Sequence, residues 1–571
     1  MIGLVVILVL TAYFRFSFGN WDDNHHLHPD ERFLTMVATA MKLPTTVGEY
    51  LDPARSFANP ANIDFAFFVY GTWPIMLTKA VAIAWHQNTY DHLTLVGRTL
   101  SATADTVTAL ITMLTALYLA KKLKSELSPT FGIWTGFFYL TFVLPIQLSH
   151  FFTTDPWLTL CMTASLSAAI VSTFNRHWIW IVISGLTWGL SLGTKVSGVY
   201  LAPILSILFF WQSIGLKFHS ALTPSLKSRV LNILGFLGLR ICLMGIMAYF
   251  ALRLSAPYYF SSGSPLNPLL HPQFISSLST LKQFDSPSSW YPPTIQWIGT
   301  KPILFSLLNT SFYGLGIPTF LILVAGSFLI MKFGSWRFRW LIVWVWSFFI
   351  FQSVQFTKAL RYTYFLYPWF AMICAYAVTS LIKRLPVKNP RTIFLKVVII
   401  ICCSIWPLMF WAIYQQPHSR IKASTWIYQN IPANSVIATE YWDDGLPLAI
   451  GQLTPQKYIF QELAVFEPDT AEKWLKINQQ LGETDYLILS SNRGWGSITK
   501  VPAKYPVMAQ FYRELLAGQS HFKKIAEFSS FPALNYLGIH ISLDDSGADE
   551  TFTVYDHPVV MIFENTSRKS K

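Results

Sequence analysis

The sequence predicts a polytopic α-helical membrane protein of about 11 transmembrane helices that ends in an external α/β domain. Three observations carry this expectation. Over 571 residues, 53% are hydrophobic and 12% charged, with a mean hydropathy of +0.40, whereas soluble proteins average about 25% charged residues. Apolar runs long enough to span a bilayer recur along the first part of the chain. Hydropathy then drops after Tyr414, leaving a mixed segment of ordinary domain length.

The spanning runs fall near 2–18, 97–119, 130–148, 156–174, 177–193, 197–212, 230–254, 305–331, 339–356, 362–382 and 394–414. The first has no basic flank before it and no small-residue cleavage site after it, so it reads as a retained anchor. Basic residues gather in every second connection: Lys121, Lys122 and Lys124; Arg176; Lys217, Lys227 and Arg229; Lys332, Arg337 and Arg339; Lys383, Arg384, Lys388, Arg391 and Lys396. The positive-inside rule then places the N-terminus in the cytoplasm and the C-terminus outside. Counting 65–85 as a further span would invert every later loop. It therefore reads as an interfacial helix, its aromatic residues and Pro74 suiting that position.

This patterning also accounts for the net charge of +13 and the pI near 9.3. The basic clusters act as orientation signals, and no basic stripe or recognition motif points to nucleic acid. The five cysteines, Cys161, Cys242, Cys374, Cys402 and Cys403, lie inside apolar runs and read as packing residues.

The expected division is 1–415, a transmembrane module with external loops at 19–95, 148–155 and 255–301, and 416–571, an external soluble domain. The 255–301 loop carries Tyr258, Tyr259, Trp290, Tyr291 and Trp297, a composition that suits a sugar or headgroup site as well as an interfacial aromatic belt. In the last segment, 423–430 patterns as a helix, 435–439 as a strand, 486–489 as a strand, 508–517 as a helix and 551–563 as a strand. It has no GxGxxG or Walker sequence.

Chemistry in such a chain is sought among the polar residues at membrane ends. His28-Pro29-Asp30-Glu31-Arg32-Phe33 puts two adjacent carboxylates just beyond the first apolar run, and Thr153-Thr154-Asp155-Pro156 puts another at the head of a later one. Asp30, Glu31 and Asp155 are the candidate catalytic residues, one to act as general base and another to orient substrate or bind metal. Asp30 and Asp155 also suit the first turn of a helix. Lys358, Arg361, Lys195 and Arg98 are the cations on the same face and suit a lipid phosphate, with snorkelling to headgroups as the alternative. His25, His26 and His28 match no established metal spacing.

Taken in order, these motifs resemble those of the C-type, polyprenyl-phosphate-sugar-dependent membrane glycosyltransferases, which include protein O-mannosyltransferases and lipid A aminoarabinose transferases. Asp30-Glu31-Arg32-Phe33 resembles the acidic pair of the first external loop and Asp155 the second external aspartate. Gly193-Thr194-Lys195 resembles a Thr-Lys turn, and Arg361-Tyr362 with Tyr367-Pro368 a late Arg-Tyr and Tyr-Pro motif. The resemblance implies an inverting transferase of the cell membrane that moves a sugar from a polyprenyl-phosphate donor to a hydroxyl of a protein, lipid or glycan acceptor at the outer face. It implies Asp30 as base. Mg²⁺ or Mn²⁺ at Asp155 is compatible with this chemistry but not required. A transporter or flippase with an external binding domain is the alternative, although no internal repeat is visible.

Overall fold

The computed structural model describes residues 2–124, 126–175, 177–214, 226–386, 389–536 and 538–568. Arg176, Lys217 and Lys388, three of the basic residues used to orient the chain, lie outside the described residues. All eleven apolar runs contain helix, but they differ in form. Among the described residues, five helical runs are long and apolar enough to cross a membrane, or seven if each of two bent pairs counts once. The bent pairs are Phe131–Leu140 with Val143–Ser149, at 59°, and Leu304–Gly314 with Ile317–Phe333, at 120°. The other four expected spans fall short on length, as in Ile2–Phe16 and Ile179–Leu192, or on hydropathy. Serine and threonine dilute Asp155–Ser172, and Arg337 and Arg339 open Trp336–Val354. The 65–85 run is helical only over Trp73–Ala84, about 18 Å at 1.5 Å per residue, which is too short to span.

The bundle is pinned by a buried polar tie. Arg15, near the end of the first helix, has no exposed side-chain surface; its Nε donates to Asp105 at 2.9 Å and its Nη atoms to the carbonyls of Leu140 and Tyr139 at 3.0 Å. Asp105 also accepts the hydroxyls of Tyr139 and Tyr364. Four segments are held by one ion pair whose partners are supplied internally, the arrangement hydrocarbon surroundings demand.

The strands lie within Val436–Asn565. β1 (Val436–Glu440), β2 (Ile459–Leu463), β3 (Tyr486–Leu489), β4 (Phe522–Phe528) and β7 (Val560–Asn565) form one sheet in the order β2-β1-β3-β7-β4, while β5 (Ala533–Tyr536) and β6 (Ile539–Ser542) make a separate hairpin. β1 runs parallel to β2 and β3, and β7 antiparallel to β3 and β4. Alternation puts Ala438, Leu487, Leu489 and Phe563 in one apolar cluster and Ile437, Ile488 and Ile562 in another, so helices cover both faces. The expected strand over 551–563 begins only at Val560. Before it, Asp549 caps a short helix, Glu550–Thr553, by accepting from Thr551 N.

This region is seated on the bundle through buried hydrogen bonds. Asp549 Oδ2 accepts from Leu360 N at 2.8 Å, and Asp549 N donates to Asn309 at 2.7 Å. Gln147 donates to Phe552 O at 2.7 Å and to Asp556 at 3.0 Å, and Tyr414 donates to Asp556 at 2.8 Å; a partly exposed pair, Arg32 with Asp444 at 2.7 Å, adds to them.

Candidate active site

A cavity of about 690 Å³ opens between the bundle, the 255–301 loop and the α/β region, within the size range of small-molecule sites. Four of the seven charged side chains that line it, Asp30, Asp155, Lys195 and Arg361, form two ion pairs; the others are Lys282, Asp285 and Arg493. Asp30 stands in the first turn of Pro29–Ala40, a helix capped by His28, whose Nδ1 accepts from Glu31 N at 3.3 Å. Arg361 lies in the 3₁₀ helix Leu360–Leu366. The two side chains form an ion pair through Arg361 Nη1 and Asp30 Oδ2. Asp155 opens Asp155–Ser172, and its Oδ1 accepts from Lys195 Nζ at 2.9 Å.

Close backbone contact fixes Lys195. Gly71 N donates to Thr194 O at 2.9 Å, and a Cβ on Gly71 would sit 1.4 Å from Gly193 O, so only glycine fits that approach. The resulting bridge sets Tyr70 against Lys195, whose ammonium lies 5.4 Å from the Tyr362 ring centre. Burial acts to raise the Asp30 carboxyl, but Arg361, with His28 and Lys195, outweighs it and holds the group at about 2. Burial lowers His28 to about 4 and keeps it neutral at pH 7; its ring packs 4.1 Å from that of Tyr555.

The structure separates the sequence-derived candidates. Asp30, Asp155, Lys195 and Arg361 line the cavity; Glu31, Arg98 and Lys358 do not. Glu31 is fully buried and accepts from Arg98 Nε at 2.6 Å, from Arg98 Nη2 at 3.0 Å and from Phe152 N at 3.2 Å. Arg98 spends its remaining donors on Asp22 at 2.9 and 2.8 Å and on Gly19 O at 2.8 Å. That leaves no guanidinium donor for a lipid phosphate. Lys358 precedes the 3₁₀ helix that carries Arg361. It is buried and donates to Thr300 at 3.1 Å and Phe356 O at 3.0 Å.

Trp290, Tyr291 and Trp297 of the long loop, expected to suit a sugar or headgroup, line the same cavity; sequence reasoning missed Trp442, Arg493 and Tyr555 of the α/β region, which line it too. The Tyr291 and Trp442 ring centres are 5.6 Å apart, edge to face. Trp442-Asp443-Asp444 and Tyr555-Asp556-His557-Pro558 stand out as motifs in the sequence; Arg493, a lone basic residue, carries no such signal. Arg493 is neutralised by Glu550 at 2.7 Å.

Among the described residues, no group of three or more His, Cys, Asp or Glu side chains forms a ready-made metal site, and Asp155, the expected ligand, is paired with Lys195. Magnesium is commonly held by one or two carboxylates together with substrate phosphates.

Fold and site together define a helical membrane bundle with a charged, aromatic-walled cavity completed by an α/β region. No protein-family model and no curated protein matches the chain. Solved structures do. An oligosaccharyltransferase of Archaeoglobus fulgidus in complex with Zn and sulfate is 11% identical, with 95% of this chain and 72% of that one covered at a TM-score of 0.48. The Archaeoglobus fulgidus oligosaccharyltransferase AglB with an inhibitory peptide and a dolichol-phosphate is 12% identical, at 95% and 74% coverage and a TM-score of 0.46. ArnT of Cupriavidus metallidurans bound to undecaprenyl phosphate is 11% identical, with 98% of each chain covered at a TM-score of 0.41.

Proposed function

We propose that this chain is a membrane glycosyltransferase that moves a sugar from a polyprenyl-phosphate donor to an acceptor hydroxyl, with inversion, at the outer face of the cell membrane. The observation that carries the reading is the convergence of Asp30, Asp155, Lys195 and Arg361 on one cavity that also has apolar walls at Leu158, Leu278, Leu281 and Phe365. Fixed cations can hold a phosphate, carboxylates can take a proton, and an apolar flank can receive the first part of a lipid tail.

In the proposed step the acceptor oxygen forms a bond to the anomeric carbon as the bond from that carbon to the lipid phosphate oxygen breaks. The bonding pair leaves on the phosphate, where Arg361 and Lys195 stabilise it. The acceptor proton passes to Asp30. Asp155 sets the position of Lys195. No metal takes part in this scheme. The aromatic wall of Trp290, Tyr291 and Trp442 supplies faces against which sugar or acceptor can pack.

The test is release of free polyprenyl phosphate from sugar-loaded lipid by purified protein given an acceptor. Nuclear magnetic resonance of the product's anomeric centre reports inversion. No release with any of a panel of sugar-charged lipids and acceptors would refute the assignment.

A further inference from the structure

Lys195 and Arg361 are each paired with a carboxylate, Asp155 and Asp30, so a phosphate arriving at either cation meets an anion already in place; Lys282 and Arg493 also line the cavity. The two pairs are not equivalent. Lys195 lies between Asp155 and the rings of Tyr70 and Tyr362. Arg361 pairs with Asp30 through one Nη, while its buried Nε has no hydrogen-bond partner. Among the described residues, Arg361 is also the one hydrogen-bond partner of the Asp30 carboxylate.

A guanidinium binds phosphate best through two adjacent N–H groups. One is spare in Arg361, and the neighbouring edge is held in part by Asp30. We infer that Asp30 and the lipid phosphate of the donor compete for Arg361, so that donor binding releases Asp30 and frees it to act as base. The inference rests on the donor assignment proposed above.

The exchange explains how one carboxylate can be both bound and basic. While paired with Arg361, Asp30 is a poor proton acceptor because its negative charge is already stabilised. Once the phosphate takes the guanidinium, that stabilisation moves to the phosphate and Asp30 recovers ordinary basicity beside the anomeric carbon. An acceptor hydroxyl entering without donor meets an inactive base, and the order of events suppresses unproductive proton transfer.

The test uses the full-length protein in detergent and undecaprenyl phosphate as probe, with affinity measured by displacement of a fluorescent lipid phosphate. Asp30→Asn removes the competitor, and the probe should bind roughly tenfold more tightly, as expected when a blocked state is relieved, although turnover falls. The same change made in an Arg361→Ala background should give no gain, because the contested group is gone. Asp155→Asn is the comparison in which Lys195 replaces Arg361 as the contested cation.

Unchanged or weaker binding in folded Asp30→Asn protein would overturn the inference and mean that Arg361 holds both anions at once. A gain that persists without Arg361 would overturn it too, as bulk charge removal. If wild-type protein does not bind the probe, the donor assignment falls and takes this inference with it.

Discussion

Replacing Glu31 by Gln and Asp30 by Asn in separate proteins should give opposite failures, although the residues are adjacent. The Glu31 side chain is 0% exposed and Arg98 2% exposed, and the pair meets at 2.6 Å. Arg98 also contacts Asp22 at 2.8 Å and lies 4.7 Å from the centre of the Trp21 ring. Burial pushes the Glu31 carboxyl up against the pull of Arg98, and Asp22 remains to neutralise the cation. Glu31→Gln therefore turns one charge-assisted bond into a neutral one and sets an amide donor against Arg98 or Phe152 N. That costs about 1 to 3 kcal/mol of stability, and Glu31→Ala about 3 to 5 kcal/mol, as for a broken buried pair. Thermal unfolding should register both. The fraction of Glu31→Gln protein that folds should turn over near the normal rate. Asp30 is 28% exposed and its pair with Arg361 only partly screened from water, so Asp30→Asn should alter stability by about 1 kcal/mol or less. Turnover should fall by roughly 10² to 10⁴, the usual cost of losing a general base. Folded Glu31→Gln protein without turnover, beside active Asp30→Asn protein, would refute this division of roles.

Three further outcomes follow from the same geometry. Arg361→Lys keeps charge but loses the planar fork, so donor KM should rise about tenfold with little change in unfolding temperature; an unchanged KM would move the phosphate to Lys195. His557 is clasped by Asp545 at 2.9 Å and by Asp556 at 2.5 Å. Burial opposes its charge, but the two carboxylates outweigh that and push it up from 6.5 to about 10. Its contribution to stability is therefore full below pH 6.5 and disappears as pH rises through about 10, so melting against pH should decline over that window in wild type and more weakly in His557→Gln. For orientation, a cysteine replacing Gly482 should react with an impermeant reagent in intact cells, and one replacing Ser128 should not; the reverse pattern would invert the proposed topology.

What the sequence revealed depended on whether the deciding interaction was local. Apolar runs mark helices because hydrocarbon compatibility is a property of each segment, and Asp30, Asp155, Lys195 and Arg361 stand at segment ends where a charge is conspicuous. Glu31 and Arg98 look equally good by that criterion. Only the folded chain shows Arg98 with its donors filled by Asp22, Glu31 and Gly19, partners 67 to 79 residues away in the chain. The same holds for Arg15 and Asp105, 90 residues apart, and for β2 and β4, whose pairing decides what their weak patterns become. Arg493 reaches the cavity through the seating of a whole sheet. A polar residue at a membrane end thus identifies a place where chemistry can occur. The number of its hydrogen bonds that the frame has already taken separates a reactive group from a part of the frame: Glu31 accepts three, whereas Asp30 and Asp155 each have one partner among the described residues, Arg361 and Lys195, which is why the proposed base is sought at the cavity and not at Glu31.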